Sequence, residues 1–118
     1  HELSVFASAI QSDNLSYWVA KDQSKLLGFY AIEQVSASEY ELEALFVEPD
    51  HIGTGVGRAL MEHAKDRVFK MGGKTLLIQG DPHAERFYLA AGGKRVGTRE
   101  SASVRGRWLP LFKLDLCE

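Results

Sequence analysis

The chain contains little cysteine and little proline, and neither sign of charge predominates. Its 118 residues include one cysteine and three prolines, and 14 basic residues against 16 acidic ones leave a net charge of −2. A single cysteine, Cys117, cannot form an intrachain disulfide, which favours a reducing cytoplasm as the location. Because the charges are balanced and no run of lysine or arginine occurs, nucleic-acid binding is not expected.

Long apolar segments are also missing. No stretch reaches the roughly 20 residues that a transmembrane helix requires, and the N-terminus does not have the pattern of a signal peptide, so no membrane partner is expected. With 45% hydrophobic and 25% charged residues, we expect a single domain over residues 1–118. The four histidines lack the spacing of metal ligands, and the sequence therefore predicts no metal site.

Apolar periodicity predicts a mixed α/β order of elements. Leu3, Phe6, Ala7 and Ile10 have helical spacing, which indicates a short amphipathic helix at the start. The other predicted elements are strands over 16–21, 26–34 and 40–47, a helix from 56 that ends at Gly72 and Gly73, a strand over 75–79, a helix from 82 to about 91, and strands over 94–100 and 109–116. The first three strands form an antiparallel meander.

The segment from Leu45 to Leu60 carries most of the functional information. It is typical of a strand that ends at Pro49, followed by a glycine-spaced turn and a helix. The first N–H groups of a helix have no intrahelical partner and attract anions, and glycines let a phosphate approach the main chain without a Cβ in the way. The dinucleotide fingerprint is excluded because Arg58 stands at its third glycine, and no Gly-Lys-Ser/Thr follows as a P-loop requires.

This segment resembles the acyl-coenzyme A signature of the GNAT acetyltransferase superfamily. That signature is a strand ending in Val-x-Pro, then Gln/Arg-x-x-Gly-x-Gly/Ala, then a helix opening with Arg-x-Leu. The matching residues are Val47, Pro49, Gly55, Gly57, Arg58 and Leu60. Ile52 occupies the Gln/Arg position, so the backbone amides are expected to make more of the phosphate contact.

A second GNAT motif, Asn-x-x-Ala-x-x-Phe-Tyr-x-x-x-Gly-Phe, resembles residues 81–93. Its matching residues are Ala84, Phe87, Tyr88 and Gly92, whereas Asp81 replaces the asparagine and Gly93 the final phenylalanine. The family tyrosine is commonly assigned as the acid that protonates the leaving thiolate. The resemblance therefore implies that Tyr88 is a general acid, and the alternative is a core aromatic with its hydroxyl at the surface.

The resemblance implies a GNAT fold, a central mixed and mostly antiparallel sheet flanked by helices, with N-terminal elements shorter than is usual in the family. It also implies an N-acetyltransferase that moves the acetyl group of acetyl-CoA directly to a primary amine in a ternary complex. The residues implied to contact acetyl-CoA are Leu45, Phe46, Val47, Ile52, Gly53, Thr54, Gly55, Val56, Gly57, Arg58, Asp81, Ala84, Phe87 and Tyr88. The alternative is an acyl-CoA-binding sensor or interaction module without catalysis.

The proton acceptor and the amine are less well determined. Period-two alternation places Glu41 and Glu43 on one strand face with Leu45 and Val47 unless a bulge intervenes, which makes both glutamates candidate bases, with water as the alternative. The acceptor can be a small molecule, a peptide or a protein, and residues of the last hairpin are expected to help select it: Arg99, Arg105, Arg107 and Trp108. A homodimer through Leu109, Leu111 and Phe112 is a further expectation.

Overall fold

A seven-stranded sheet carries two helices on one of its faces in the computed structural model, which describes residues 4–11 and 14–116. The strands are β1 (Ser4–Gln11), β2 (Leu15–Asp22), β3 (Lys25–Gln34), β4 (Glu39–Val47), β5 (Thr75–Gln79), β6 (Lys94–Glu100) and β7 (Trp108–Asp115), and the helices are α1 (Val56–Lys70) and α2 (Glu85–Ala90). The strand order is β1-β2-β3-β4-β5-β7-β6. Neighbouring strands are antiparallel except for β4 and β5, which are parallel.

The predicted N-terminal helix is wrong, because the described residues of that segment form β1. This strand pairs with β2, for example Ser4 with Lys21 and Ala7 with Trp18. Apolar residues three and four apart over so short a stretch do not separate a helix from a strand, and the open edge of β2 offers backbone hydrogen bonds to the incoming chain. The remaining predicted elements are confirmed, and the strand boundaries agree to within one residue.

Both helices pack on the same face of the sheet. Leu60, Ala64 and Val68 of α1 are fully buried at a spacing of four residues, as an amphipathic helix over a sheet requires. Gly73 lets the chain turn from α1 into β5, since a Cβ there would lie 2.4 Å from Val68 Cγ1 and 2.9 Å from Tyr40 Cδ1. The opposite face of the sheet carries no helix within the described residues. Neither described helix has the length and apolar character needed to span a membrane.

A polar contact anchors α1 on β3. The hydroxyl of Tyr30, a fully buried residue, lies 2.8 Å from Nδ1 of His63 in α1. The Trp18 ring lies 5.1 Å from the His63 ring, and the Arg67 guanidinium lies 5.2 Å from the centre of the Trp18 ring. Burial lowers the pKa of His63, and Arg67 and Lys70 lower it as well, against an opposing effect of Asp66.

This contact predicts an acid-sensitive stability. The native pKa of His63 lies below its unfolded value of about 6.5, so the unfolded chain binds more protons and stability increases with pH. The contribution of neutral His63 to stability is complete above its unfolded pKa and is lost as the pH falls through its native pKa. Thermal unfolding at pH 7.5 and 5.5 should therefore show a larger decrease in Tm, by a few degrees, for the wild type than for His63→Asn. An equal decrease in both proteins would contradict the prediction.

Candidate functional site

β4 and β5 separate part-way along their length. Their parallel pairing runs from Glu39 opposite Thr75 to Leu42 opposite Ile78, whereas β4 continues to Val47. The β4 edge beyond Leu42 therefore has no partner on β5, and its backbone groups are open to an extended ligand.

A cavity of about 520 Å³ lies at this opening, between the β4 edge and the two helices. It is lined by Leu45, Val47, Ile52, Gly53, Gly55, Gly57, Arg58, Asp81, Ala84, Phe87 and Tyr88. The GNAT resemblance implies all of these residues as acetyl-CoA contacts. The structure thus brings the glycine turn and the later helix together at one cavity, although many residues separate them along the chain.

The glycine turn leaves the beginning of α1 open. Gly53 has φ +85° and Gly55 has φ +96°, the left-handed region that side chains disfavour. Gly55 is the N-cap of α1 and supplies no side-chain hydrogen bond, and the first turn of this 15-residue helix contains no acidic residue. The amide groups and the positive end of the helix dipole therefore face an anion without a competing carboxylate, and Arg58 adds a full positive charge.

Tyr88 contributes a neutral phenol to the same cavity. It is only 9% exposed and packs against the rings of Phe87 and Phe112, with centroids 5.2 and 5.5 Å away. Gly80 makes room for it, since a Cβ there would lie 2.7 Å from the Tyr88 ring. Burial, and secondly Asp81, raises the pKa of Tyr88. The phenol therefore stays protonated at neutral pH and can donate a proton.

Asp81 caps the turn that leads into α2. Its Oδ1 accepts a hydrogen bond of 2.8 Å from the backbone N–H of His83, and Pro82 follows it. An aspartate N-cap followed by a proline is typical of the start of a helical turn. The side chain of Arg107, from the loop between β6 and β7, lies 3.9 Å from Asp81 Oδ2.

The family model described as "Acetyltransferase (GNAT) family" matches residues 1–92. The chain belongs to the GNAT family. Peptidyl-lysine N-acetyltransferase YjaB of Escherichia coli strain K12 is 33% identical over 98 residues, which are 82% of this chain and 61% of YjaB. A ribosomal protein bS18-alanine N-acetyltransferase of the same strain is 39% identical over 57 residues, which are 48% of this chain and 38% of that enzyme. The chain thus spans about three fifths of YjaB and less of the second relative.

Solved GNAT structures share the fold. The Escherichia coli ribosomal-protein-S18-alanine N-acetyltransferase aligns with a TM-score of 0.80 at 19% identity, covering 99% of this chain and 96% of that one. A GNAT family acetyltransferase from Elizabethkingia anophelis with acetyl-CoA bound aligns with a TM-score of 0.82 at 11% identity, covering 96% and 97%. These likenesses confirm the predicted GNAT sheet of mixed and mostly antiparallel strands.

Three residues implied as cofactor contacts do not line the cavity of this GNAT domain. Phe46 is 41% exposed on the helix-free face, where its ring stacks on Phe29 at 5.5 Å. The Thr54 hydroxyl donates to the carbonyl of His51, and Val56, the first residue of α1, is buried in the core. These side chains therefore make contacts within the protein rather than with the cavity.

A β-bulge changes the position of the two candidate bases. Ala31 pairs with Ala44, but Ile32 pairs with Leu42, so Glu43 is an extra residue in β4. The bulge reverses the alternation. The predicted common face is therefore wrong: Leu45 and Val47 lie on the helix side, whereas Glu41 lies on the helix-free face.

The helix-free face places charged and polar groups beside Glu41 and Glu43. Arg99 Nη1 donates to both carboxylate oxygens of Glu41, at 3.2 Å each. Glu43 is exposed, but partial desolvation raises its pKa, and Glu41 and Glu33 raise it further, whereas Arg99 lowers it. The sequence interpretation missed Glu33, although the pairing of Glu33 with Glu41 follows from an antiparallel β3–β4 hairpin.

The last hairpin agrees only partly with the predictions made for it. Trp108 is 60% exposed and Arg105 is also exposed, as an acceptor-facing or solvated loop requires. Phe112 is fully buried in the core, so its predicted place in a dimer interface is wrong, and the homodimer stays a prediction. Among the described residues, no three histidine, cysteine, aspartate or glutamate side chains are placed to hold a metal ion.

Proposed function

We propose that this chain is an N-acetyltransferase that moves the acetyl group of acetyl-CoA directly to a primary amine in a ternary complex. The observation that carries the proposal is the cavity that joins an uncapped helix N-terminus, an open strand edge and a neutral tyrosine. GNAT neighbours have been solved with coenzyme A or acetyl-CoA bound, which supports acetyl-CoA as the cosubstrate.

The residues present fit the diphosphate and the pantetheine arm of the cosubstrate. The amides that open α1, together with Arg58, suit the diphosphate because they supply donors and positive charge without a side chain in the way. The unpaired β4 edge at Leu45 and Val47 can pair with the amides of the pantetheine arm, in the manner of an added strand. Phe87 and Ala84 supply apolar surface for the methylene groups of the same arm.

The proposed reaction needs a base and an acid. A neutral amine attacks the thioester carbonyl, so that a C–N bond forms as the C–S bond breaks, and the thioester supplies the activated acetyl group. The amine's proton goes to a carboxylate or to water, and Tyr88 protonates the departing thiolate. Cys117, the one thiol of the sequence, lies outside the described residues, and the proposed direct transfer needs no nucleophilic side chain.

For the acceptor, we propose a lysine side chain of a peptide or protein, in the cytoplasm. YjaB, which matches over most of this chain, carries the name of a peptidyl-lysine enzyme. A lysine side chain is a primary amine on a flexible stem, which can enter a narrow opening between two strands. An N-terminal alanine and an aminoglycoside amine, the acceptors in the names of other GNAT proteins, are the alternatives.

Calorimetric titration with acetyl-CoA and CoA, followed by a free-thiol assay, tests the proposal. We expect both ligands to bind and thiol release to require a lysine peptide, with little release on an alanine-terminated peptide or an aminoglycoside. Binding without turnover on any amine would favour the non-catalytic sensor. Absence of binding would overturn the cofactor assignment and the enzymatic function together.

A further inference from the structure

We propose that Arg99 is a positioning residue that holds Glu41 in an ion pair and thereby leaves Glu43 as the carboxylate that takes the proton of the attacking amine. The inference rests on the proposed acetyl transfer. The sequence left Glu41, Glu43 and water as alternatives, and the contacts on the helix-free face distinguish between them.

The first step concerns the direction from which the amine arrives. The glycine turn, the Tyr88 phenol and both helices lie on one face of the sheet, where the cosubstrate cavity is. The amine therefore reaches the opening between β4 and β5 from the helix-free face. Glu43 lies at that opening, between Leu42, the last β4 residue paired with β5, and Leu45, the first β4 residue that lines the cavity.

The second step is the engagement of Glu41. Arg99 Nη1 contacts both oxygens of the Glu41 carboxylate at 3.2 Å, and the Glu41 side chain is only 16% exposed. The guanidinium occupies lone pairs on both carboxylate oxygens of Glu41. These oxygens are already engaged when the amine arrives, so Glu41 is less accessible to the amine than Glu43.

The third step is how Arg99 reaches Glu41, since β7 and β5 lie between β6 and β4 in the sheet. The β6–β7 register shifts between Arg95 and Gly97, and Gly97 has φ +155°, so β6 bends at this point. Gln79 Nε2 of β5 then lies 3.3 Å from the carbonyl of Arg99 and 3.4 Å from that of Glu100. The end of β6, still paired with β7, thus contacts the end of β5, and the Arg99 side chain extends from there to Glu41 of β4.

Glu43 has the opposite environment. Its neighbours are acidic on both sides, Glu41 on its own strand and Glu33 on β3, with which it can share a hydrogen bond. Arg99 of β6 acts on it only as a more distant charge, and Tyr17 of β2 lies on the same sheet face by register. Partial desolvation and the two carboxylates raise the pKa of Glu43, which makes it a stronger base than an ordinary glutamate once it is ionised.

The pH dependence of kcat/KM, corrected for the ionisation of the acceptor amine, tests this assignment. Arg99→Gln removes a charge that lowers the pKa of Glu43, so the acidic limb should move to higher pH by about half a unit. Glu41→Gln removes a charge that raises it, so the limb should move to lower pH. Glu43→Gln should abolish the limb and lower kcat by about 10- to 100-fold.

Arg95→Gln is the matched control. It removes a 3.2 Å ion pair with Glu85 from the same strand, so it should leave the limb where it is. The assignment would be overturned if the acidic limb disappeared in Glu41→Gln and persisted in Glu43→Gln. It would also be overturned if Arg99→Gln and Glu41→Gln did not move the limb in opposite directions. A merely structural role for Arg99 would lower activity without moving the limb.

A stability measurement separates this inference from the proposed function. The native pKa of Glu43 lies above the unfolded value of about 4.3, so its charged form costs stability at neutral pH and the cost disappears as the pH falls below the unfolded pKa. Glu43→Gln should therefore raise Tm at pH 7 but not at pH 3.5. If the Tm of Glu43→Gln rises in this way while the wild-type protein acetylates no amine, the proposed function fails and the described environment of Glu43 stands. If the Tm of Glu43→Gln at pH 7 equals that of the wild type, the inference itself is overturned.

Discussion

Tyr88→Phe is expected to lower kcat for acetyl transfer by about a hundredfold while acetyl-CoA affinity changes by no more than about threefold. The substitution removes one oxygen and keeps the ring that packs between Phe87 and Phe112. Since burial keeps the phenol protonated at neutral pH, the oxygen carries a proton that the leaving thiolate can take. Without it, the thiolate must depart unprotonated or take a proton from water.

The measurement is thiol release under saturating acetyl-CoA, with calorimetric titration of the same protein. Tyr40→Phe is the matched control, because Tyr40 is a buried tyrosine of the core that does not line the cavity, and its kcat should equal that of the wild type. A Tyr88→Phe enzyme with unchanged kcat would show that another group protonates the thiolate. A large loss of acetyl-CoA affinity would instead give Tyr88 a role in binding.

The cofactor half of the site could be predicted from the sequence because it is built from local segments. The turn with Gly53 and Gly55 and the start of α1 are adjacent along the chain, and their order determines an open helix N-terminus whatever the rest of the fold does. The motif around Tyr88 occupies another short segment. The glycine turn required only local geometry, whereas the role of Tyr88 was implied by the GNAT resemblance, and the structure places both segments at one cavity.

The acceptor half depends on contacts between distant parts of the chain, and the sequence pattern therefore predicted it poorly. The bulge at Glu43 arises from the pairing of β4 with β3, and no residue type in β4 signals it. Arg99 reaches Glu41 because β6 bends and its end lies against β5. The initial helix failed for the same reason, since pairing with β2 determines the structure of residues 4–11.

The two faces of the sheet carry different parts of the candidate site. The helix-bearing face carries the glycine turn and Tyr88, whereas the other face carries Glu41, Glu43 and Arg99. In the proposed reaction, the acid and the base therefore lie on opposite sides of the sheet, so that the amine loses its proton on one side while the thiolate gains one on the other.

Gly57→Leu is expected to weaken acetyl-CoA binding by about a hundredfold, roughly 2.7 kcal/mol. A Cβ at Gly57 would lie 3.4 Å from Val47 Cγ2 and 3.4 Å from Phe87 Cε1, so it points into the gap between the two cavity walls. A leucine side chain extends beyond Cβ by three more carbons and fills the space that the proposal gives to the cosubstrate. The backbone amide and the helix dipole stay in place, so the loss isolates the effect of volume.

Gly57→Ala is the matched control, because its one added carbon makes only an ordinary van der Waals contact with Val47 and Phe87. Alanine also suits a helix better than glycine, by about 0.5–1 kcal/mol, so this variant should have a higher Tm and an affinity within about threefold of the wild type. Calorimetric titration of both variants decides the matter. Normal acetyl-CoA binding by Gly57→Leu would place the cosubstrate outside this cavity. Equal losses of affinity in both variants would mean that even one added carbon is excluded, and hence that the diphosphate contacts the bare Cα of Gly57.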